Sequence, residues 1–338
     1  MRGVYINEGA LNMQGKIALE EHFTTEEYLE AVKPWFINDG PGVWEKAKME
    51  MSDITDLRLR LMDEAGIEKT ILSLTSPTIQ AILDTDKAID AARRANEYIA
   101  NQISGYKDRF ESFAALPTQD PDAAAKELHR CIKEYGFRGA LINGYCQIGD
   151  PGIPVYLDDP RYIDFWGEAA KLDFPIYLHP RPAVESVLKA EFEGHNWLYR
   201  AAWGWHIQLG THVLRLIGSG LFDRYPNLQI VIGHMGELLP MFIWRINNRV
   251  KNYKRDCKAE RPIREYFERN IHITTSGHCS TPALMCAVME MSTDRIMFST
   301  DYPYETMKQN ADWFDNIPFS DNDKLKMGRT NAEKLFKL

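Results

Sequence analysis

Short runs of hydrophobic residues recur along the whole chain, and each ends in a polar or turn-forming residue. The runs are nearly continuous in apolar, often β-branched residues. That pattern is typical of strands buried on both faces of a parallel sheet. Eight strands are predicted, at residues 16–23, 69–74, 110–117, 139–144, 175–180, 229–234, 271–277 and 295–303.

Amphipathic helical patterns lie between most of these strands. The clearest lie at residues 56–67, 86–106, 120–137, 281–291 and 331–338. Eight strands that alternate with helices predict an α/β fold, a (β/α)8 TIM-like barrel with long loop insertions. A doubly wound open sheet is the alternative, but no glycine-rich phosphate loop follows the first strand.

Two connections are too long to be simple links between a strand and a helix. They span residues 24–55 and 181–212 and are rich in aromatic residues, namely Trp35, Phe36, Trp44, Trp197, Trp203 and Trp205. Such insertions are predicted to cover the site or to form a subunit interface. A length of 338 residues suits one barrel. Met13 is an alternative start, so residues 1–12 are predicted to be an N-terminal tail and 13–338 a single metal-dependent barrel domain.

Composition narrows the class of protein further. With 44% hydrophobic and 26% charged residues the chain is globular, and a net charge of -8 argues against nucleic acid or an anionic membrane as partner. There is no apolar run of transmembrane length, and the first residues lack the apolar core of a signal peptide. The five cysteines are widely spaced with no CxxC pair, which predicts free thiols and a cytoplasmic location.

Metal-capable side chains stand at the ends of four predicted strands. Glu20 and His22 end the first strand and share one face of it, because they are two residues apart. His179 ends the fifth strand, His234 ends the sixth, and Asp301 lies in the eighth. Barrel enzymes carry their catalytic groups at this rim. Each residue alone has an ordinary structural explanation, but together they predict a divalent metal site.

Other polar residues carry weaker predictions. His129 is expected on a helix surface and His272 packed inside strand seven. His195, His206 and His212 lie in the second long connection, and Arg181 suits either an anionic substrate or a surface ion pair.

Several stretches together resemble the amidohydrolase superfamily, in particular its branch of non-oxidative aromatic-acid decarboxylases. They are GKIALEEHF, AALPTQDPDAA, GFRGALING, PIYLHPR, SGLFDRYPNLQIVIGHMGE, HITTSGH, RIMFSTDYPYE and GRTNAEKLFKL. The resemblance runs from about Gly15 to Leu338. The segment 200–210, with His206 and Ile207, departs from the family pattern, as does the loop after His179.

The resemblance implies a role for each matching residue. Glu20, His22, His179 and Asp301 are implied metal ligands for one divalent ion, with zinc or manganese favoured over magnesium by the histidines. Asp301 is also the implied proton donor, with His234 as its catalytic partner. Phe23, Glu237 and His278 complete the predicted substrate-binding set with Arg245. The resemblance implies that Arg245 reaches the substrate of a neighbouring subunit, hence a homo-oligomer, either a tetramer or a dimer.

The implied reaction is reversible, non-oxidative decarboxylation of an ortho-hydroxybenzoate. The EEHF sequence favours 2,6-dihydroxybenzoate, with 2,3-dihydroxybenzoate or salicylate as alternatives. One rival is a metal-dependent amidohydrolase or lactonase, but strand one reads ExH rather than HxH, and strand four ends in Asn143 and Gly144 rather than a metal-bridging lysine. A non-catalytic barrel that serves as a scaffold is the second rival, and it predicts no bound metal.

Overall fold

Parallel strands alternate with helices throughout the computed structural model, which describes residues 13–36 and 40–338. The strands are β1 Lys16–Phe23, β2 Ile67–Leu74, β3 Phe110–Ser112, β4 Ala114–Ala115, β5 Ala140–Asn143, β6 Ile176–His179, β7 Ile230–Ile232, β8 Ile271–Thr274 and β9 Ile296–Met297. Every ladder between neighbouring strands is parallel. The eight predicted strands are all present, the third of them in two pieces.

Helices fill the connections between the strands. They are α1 Leu29–Val32, α2 Val43–Ser52, α3 Leu57–Glu64, α4 Thr85–Gln102, α5 Pro121–Arg130, α6 Ile163–Leu172, α7 Glu185–Phe192, α8 Gly204–Gly218, α9 Leu221–Arg224, α10 His234–Glu237, α11 Leu239–Asn252, α12 Ile263–Arg269, α13 Thr281–Met291, α14 Met307–Asp315, α15 Asp321–Leu325 and α16 Asn331–Phe336. Side-chain caps fix several starts: Asp84 accepts a backbone N–H of α4, Asp120 of α5 and Ser280 of α13.

The strands form one closed ring once two interruptions are followed. The order is β1-β2-β3 and then β4 through β9. Only Phe113 separates β3 from β4, and its N–H still donates to the carbonyl of Leu72 at 2.9 Å. At the other seam the N–H of Asp301 donates to Glu20 O at 3.0 Å, and that of His22 to Tyr302 O at 2.7 Å. The predicted barrel is thereby confirmed.

Two hydrophobic layers flank the strands. The inner layer fills the barrel with Ile17, Leu19, Ile71, Phe113, Leu141, Tyr177, Val231 and Met297, and the last helix adds Ala332 and Phe336. Lys337 bonds Asp173 just before β6, so α16 closes the barrel at the amino ends of the strands. The outer layer packs strands against helices. The opposite, carboxyl-terminal rim is therefore the open end where a site can form.

The structure can be compared with several further predictions about loops, histidines, cysteines and the N-terminal residues. The two long connections contain helices α1, α2 and α7 and the start of α8 rather than plain loops. His129 is exposed and His272 is packed, as predicted. The five cysteines form no disulfide. Across residues 13–36 and 40–338, no helix combines the length and apolar character needed to cross a membrane. The predicted tail 1–12 lies outside the described residues, and the single domain stays a prediction.

A buried ion pair anchors the start of β1 and yields a stability prediction. Lys16 Nζ lies 2.9 Å from Asp315 Oδ1, with both side chains almost fully buried, and it also donates to Met13 O at 2.6 Å. In Lys16→Met the Asp315 carboxylate is left buried without its cation. We expect the free energy of unfolding, measured in urea, to fall by about 3–5 kcal/mol.

The matched control is Lys308→Met, which breaks a similar pair with Asp312 whose two side chains are about half exposed. This loss should be under about 1 kcal/mol because water screens exposed pairs. Equal stability of the two variants would contradict a structural role for the Lys16 pair.

Candidate metal centre

Four of the predicted residues converge at the carboxyl-terminal rim of the barrel. One potential ligand atom from each of Glu20, His22, His179 and Asp301 lies within 4.8 Å of the others, and all four residues are buried. The Nε2 atom of His22 is 3.2 Å from Asp301 Oδ1, and that of His179 is 3.3 Å from Glu20 Oε1. Bonds of about 2.0–2.2 Å to one shared ion place neighbouring ligands at roughly such separations.

A β-bulge in β1 aims Glu20 into the barrel. Ala18 pairs with Thr70 and Glu21 with Leu72, so β1 has one residue more than β2 over this stretch. Leu19 belongs to the inner layer, and Glu20 contacts Tyr177 of that same layer. Simple alternation forbids two consecutive inward side chains, and a bulge is the usual way to re-aim one beside a site. The backbone N–H groups of both bulged residues donate to Ser299 Oγ, at 3.2 and 2.6 Å.

The two oxygens of the Glu20 carboxylate have different surroundings. Oε2 accepts hydrogen bonds from the hydroxyls of Tyr177 and Ser276, the latter at 2.7 Å. Gly233 packs so closely that an added Cβ would lie 2.3 Å from this oxygen. Oε1 forms no hydrogen bond within the described residues, although it is buried. One oxygen is thus fixed by the protein while the other faces the histidines.

The cluster fits a cation, as its unpaired polar atoms show. Besides Glu20 Oε1, the buried atoms His22 Nε2 and Asp301 Oδ1 lack a hydrogen-bond partner within the described residues. Unpaired buried polar atoms are costly, so their convergence fits a site for a positively charged ligand. Burial disfavours charge on His22, but Asp301 and Glu20 outweigh it and raise its pKa to about 9. The field at this point favours positive charge, which a divalent ion would supply.

A hydroxyl group contacts the His22 ring on the side opposite the cluster and orients this proposed ligand. Ser73 Oγ lies 3.1 Å from His22 Nδ1, which leaves Nε2 facing the cluster. Burial would raise the pKa of Glu20, but His234, His179 and His22 together hold it well below its usual range. A carboxylate that stays ionised is the form that binds a metal.

His234 lies beside the cluster rather than within it. Its Nε2 is 3.3 Å from Glu20 Oε1 and 3.6 Å from Asp301 Oδ2. Its Nδ1 is 2.6 Å from Glu237 Oε1, and Glu237 Oε2 is in turn 2.6 Å from His206 Nδ1. These three residues form a hydrogen-bonded chain that ends next to Asp301.

Glu21 faces away from the cluster and holds the segment that carries Asp301. Its carboxylate accepts hydrogen bonds from Thr300 N at 3.0 Å and from the Thr300 hydroxyl at 2.7 Å. Burial is the main cause that raises its pKa to about 7. Arg58, fully buried, donates to the His22 carbonyl at 2.6 Å. The backbones of two proposed ligands are therefore tied down by buried polar side chains.

The remaining predicted residues are placed differently. Phe23 is buried in the outer layer and stacks on Tyr98 of α4, with ring centroids 6.4 Å apart, so it points away from the cluster. Arg245 is exposed on α11. His278 is half-buried just past β8, and its pKa is lowered by burial and then by His206 and His234. The structure thus brings His278 near the site and turns Phe23 away from it, whereas Arg245 lies exposed on α11.

Arg181 was predicted either to meet an anionic substrate or to form a surface ion pair. It is buried, and it donates to the carbonyls of Gln80 and Tyr145 and to the Gln147 side chain. Burial of Arg181 contradicts the predicted surface ion pair, and both of its terminal nitrogens are bonded to the protein.

Sequence reasoning missed Tyr177, Ser276 and Ser73, which orient the ligands. Only their positions in the sequence could have indicated this role. Tyr177 lies two residues before His179 on the same strand face, and Ser276 follows β8 at the same rim. A hydroxyl residue at a strand end is too common to be singled out from one sequence.

Comparisons with known proteins agree with this geometry. A model of the amidohydrolase family matches residues 41–338. The chain belongs to the amidohydrolase family. It is 48% identical to a protein named gamma-resorcylate decarboxylase from Rhizobium sp. (strain MTP-10005), over 96% of this chain and 99% of that protein.

Two solved structures are also similar to this chain. One is a 2,6-dihydroxybenzoate decarboxylase complexed with 2,6-dihydroxybenzoate, with a TM-score of 0.92, 48% identity and coverage of 96% of this chain and 100% of that chain. The other is a dihydroxybenzoic acid decarboxylase from Polaromonas sp. JS666 with bound manganese and the inhibitor 2-nitroresorcinol, with a TM-score of 0.92, 47% identity and coverage of 96% and 98%.

The hydroxyl groups behind Glu20 yield a prediction about metal affinity. Tyr177→Phe removes one of the two hydroxyl hydrogen bonds to Oε2, so the carboxylate is less well oriented. We expect roughly a 10- to 100-fold loss of affinity for manganese, measured by competition with a chelator. Tyr28→Phe is the control, since Tyr28 donates to the Ala91 carbonyl away from the cluster. Similar affinities in the two variants would contradict the positioning role of Tyr177.

Proposed function

We propose that this amidohydrolase-family protein is a metal-dependent carboxy-lyase that converts 2,6-dihydroxybenzoate reversibly to resorcinol and CO2. The observation that carries the proposal is the buried Glu20, His22, His179 and Asp301 cluster with His234 beside its Asp301 member. The 48% identity to gamma-resorcylate decarboxylases supports the choice of substrate. 2,3-Dihydroxybenzoate and salicylate are the alternative substrates.

The reaction needs a proton at the ring carbon that bears the carboxylate. Direct loss of CO2 would leave an aryl anion, whereas prior protonation lets the breaking C–C bond return its electron pair to the ring. A divalent ion held by the four ligands would offset the charge of the substrate carboxylate and ortho oxygen. Asp301 donates the proton from its carboxyl group, and His234 holds that carboxyl in place.

Water must be kept from the ring while it is protonated, and aromatic side chains around the site exclude it. Tyr304 packs edge-on against His22 at 5.5 Å between ring centroids, and Trp205 packs against His179 at 6.2 Å. Trp205 belongs to the second long connection and Tyr304 to the segment after β9, so aromatic side chains from two loops line the site.

Manganese or zinc is the ion we propose, with magnesium less suited to a set that contains two histidines. The bound manganese of the Polaromonas decarboxylase supports manganese as the first choice. A hydrolase that acts on a lactone or amide is the second candidate, favoured by the family match itself. Parallel assays for CO2 release and for acid release separate the two.

A homo-oligomer is part of this proposal. Helix α11 exposes Met241 (74%), Phe242 (50%) and Trp244 (65%), and Met289 of the neighbouring α13 is 78% exposed. Clustered exposed apolar side chains of this size commonly mark protein–protein contacts. Arg245 lies within this patch, so a neighbouring subunit that covers the patch is the partner whose site Arg245 would enter. The cytoplasmic location stays a prediction.

Substitution of the proposed acid tests the chemistry. In Asp301→Asn the amide can still occupy the ligand position but cannot donate the proton. We expect metal content by elemental analysis near the wild-type level, and turnover of 2,6-dihydroxybenzoate reduced by at least about 10³-fold. In His22→Ala we expect the metal itself to be lost.

Near-normal CO2 release by Asp301→Asn would contradict its role as acid. An unchanged metal content in His22→Ala would remove His22 from the ligand set. A wild-type enzyme that releases acid from a lactone panel but no CO2 from the three hydroxybenzoates would favour the hydrolase.

Mixing two impaired variants tests whether Arg245 acts across a subunit boundary. Asp301→Asn and Arg245→Ala should each be impaired, but a mixed dimer of the two contains one site with both native residues. After subunit exchange we expect about a quarter of the wild-type activity, because half of the dimers are mixed and one site in each is intact.

The control is Arg249→Ala mixed with Asp301→Asn, since Arg249 stacks over Tyr253 at the end of the same helix. The Arg249→Ala variant should be active before mixing, and subunit exchange with Asp301→Asn should not increase its activity. No recovery in the Arg245→Ala mixture, despite exchange seen by native mass spectrometry, would contradict a role in trans.

A further inference from the structure

His206 forms the outer end of the hydrogen-bonded chain that reaches the site. Its Nδ1 lies 2.6 Å from Glu237 Oε2, and its ring packs edge-on to that of His234 with centroids 6.0 Å apart. We propose that His206 is a positioning residue for His234, acting through Glu237. The proposal rests on the decarboxylase function above, in which His234 holds the proton donor.

Glu237 needs two donors because it is completely buried. Its side chain has no exposed surface, and each carboxylate oxygen faces one histidine nitrogen at 2.6 Å. Burial works to raise the pKa of this carboxyl, but His234 and His206 together bring the pKa below its ordinary value. An ionised carboxylate with both oxygens hydrogen-bonded is held in one orientation, whereas one with a single partner is free to rotate.

The backbone around Glu237 does not fix this orientation by itself. After β7 the chain makes a tight turn in which His234, Met235, Glu237 and Leu238 all have positive φ, between 47° and 65°. This turn brings the Glu237 carboxylate back onto His234 three residues earlier. The partner for the second oxygen must come from elsewhere, and the start of α8 supplies it with His206.

The same contact links the long connection after β6 to the turn after β7. Trp205, the neighbour of His206, packs against the proposed ligand His179. Gly210, one helical turn further along α8, approaches the Glu237 carbonyl so closely that an added Cβ would lie 3.3 Å from it. His206 therefore stands on an element already packed against the site, and its ring has a defined place.

Loss of His206 would act on His234 rather than on the metal ligands. With Oε2 unpaired, the Glu237 carboxylate would rotate or take up a proton, and His234 Nδ1 would lose its fixed acceptor. The His234 ring would then no longer be held 3.6 Å from Asp301 Oδ2. Among the described residues, no hydrogen bond or ion pair of Glu20, His22 or His179 involves His206. The expected defect lies in proton delivery, with metal binding preserved.

The test compares His206→Leu with His206→Asn in the manganese-loaded full-length enzyme. Asn places an amide N–H about where Nδ1 stood, whereas Leu fills similar volume without a donor. For 2,6-dihydroxybenzoate we expect His206→Leu to lower kcat by about 10- to 100-fold, with KM and metal content near wild type. His206→Asn should keep kcat within about 3-fold, because it restores the hydrogen bond. His195→Leu, an exposed histidine of the same connection, is the control and should match wild type.

Three results would overturn the proposal: wild-type kcat in His206→Leu, an equal loss in His206→Asn, or a loss of metal in His206→Leu. A readout without turnover separates this failure from failure of the proposed reaction. In the zinc-loaded, 15N-labelled protein, the His234 Nδ1 proton should give a hydrogen-bonded resonance in wild type and His206→Asn. That resonance should move or exchange away in His206→Leu. An unmoved resonance in His206→Leu contradicts the proposal even if no substrate is turned over.

Discussion

The seam between β1 and the segment after β9 is the constraint on which the site depends. Two backbone hydrogen bonds across it, Asp301 N to Glu20 O and His22 N to Tyr302 O, close the barrel. The same two bonds bring residues from opposite ends of the sequence to within ligand distance. Ser299 reinforces the seam by accepting the two N–H groups of the β1 bulge. Because the bonds that complete the fold also assemble the cluster, an open sheet of the same strands would have no site.

Charge is the second constraint at this rim. Two buried carboxylates, Glu20 and Asp301, face three imidazoles, and buried ionised groups persist only when they are paired. Hydroxyls satisfy only the far oxygen of Glu20. The near oxygen of Glu20 and the Nε2 of His22 face the position that a cation would take, and the protein's own contacts fix the orientation of these ligands. Such preorganisation lowers the cost of binding, since little side-chain freedom remains to be lost.

The fold and the proposed metal ligands were predicted from the sequence in different ways. Continuous apolar runs and helical spacing require only local patterns, so the strands and most crossover helices follow from them. The five candidate site residues follow from strand-end position once a barrel is assumed, whereas the family resemblance implied which four of them are metal ligands. The bulge at Leu19 and Glu20 could not be predicted, because it shows only in the pairing of β1 with β2. Glu237 was predicted to bind substrate, and the structure shows that a tight turn brings its carboxylate onto His234, a contact that could not be predicted from the sequence. Phe23 was also predicted to bind substrate, and strand alternation turns its side chain into the outer layer, where it stacks on Tyr98.

Backbone strain is concentrated where the chemistry is proposed. Of the non-glycine residues with positive φ in the described chain, five lie in the turn after β7 or at Asp301, whose φ is 66°. Each costs of order 1–3 kcal/mol and persists only where surrounding contacts fix it. For Asp301 those contacts are the seam bond to Glu20 and the Glu21 carboxylate on Thr300. In the turn after β7, the Ser276 hydroxyl accepts a hydrogen bond from the His234 N–H at 3.0 Å. The Glu237 carboxylate also fixes this turn through its contacts with His234 and His206. Regular strand geometry would send Asp301 and His234 along the sheet. The strained turns instead direct both side chains to one point, and buried polar contacts offset the cost.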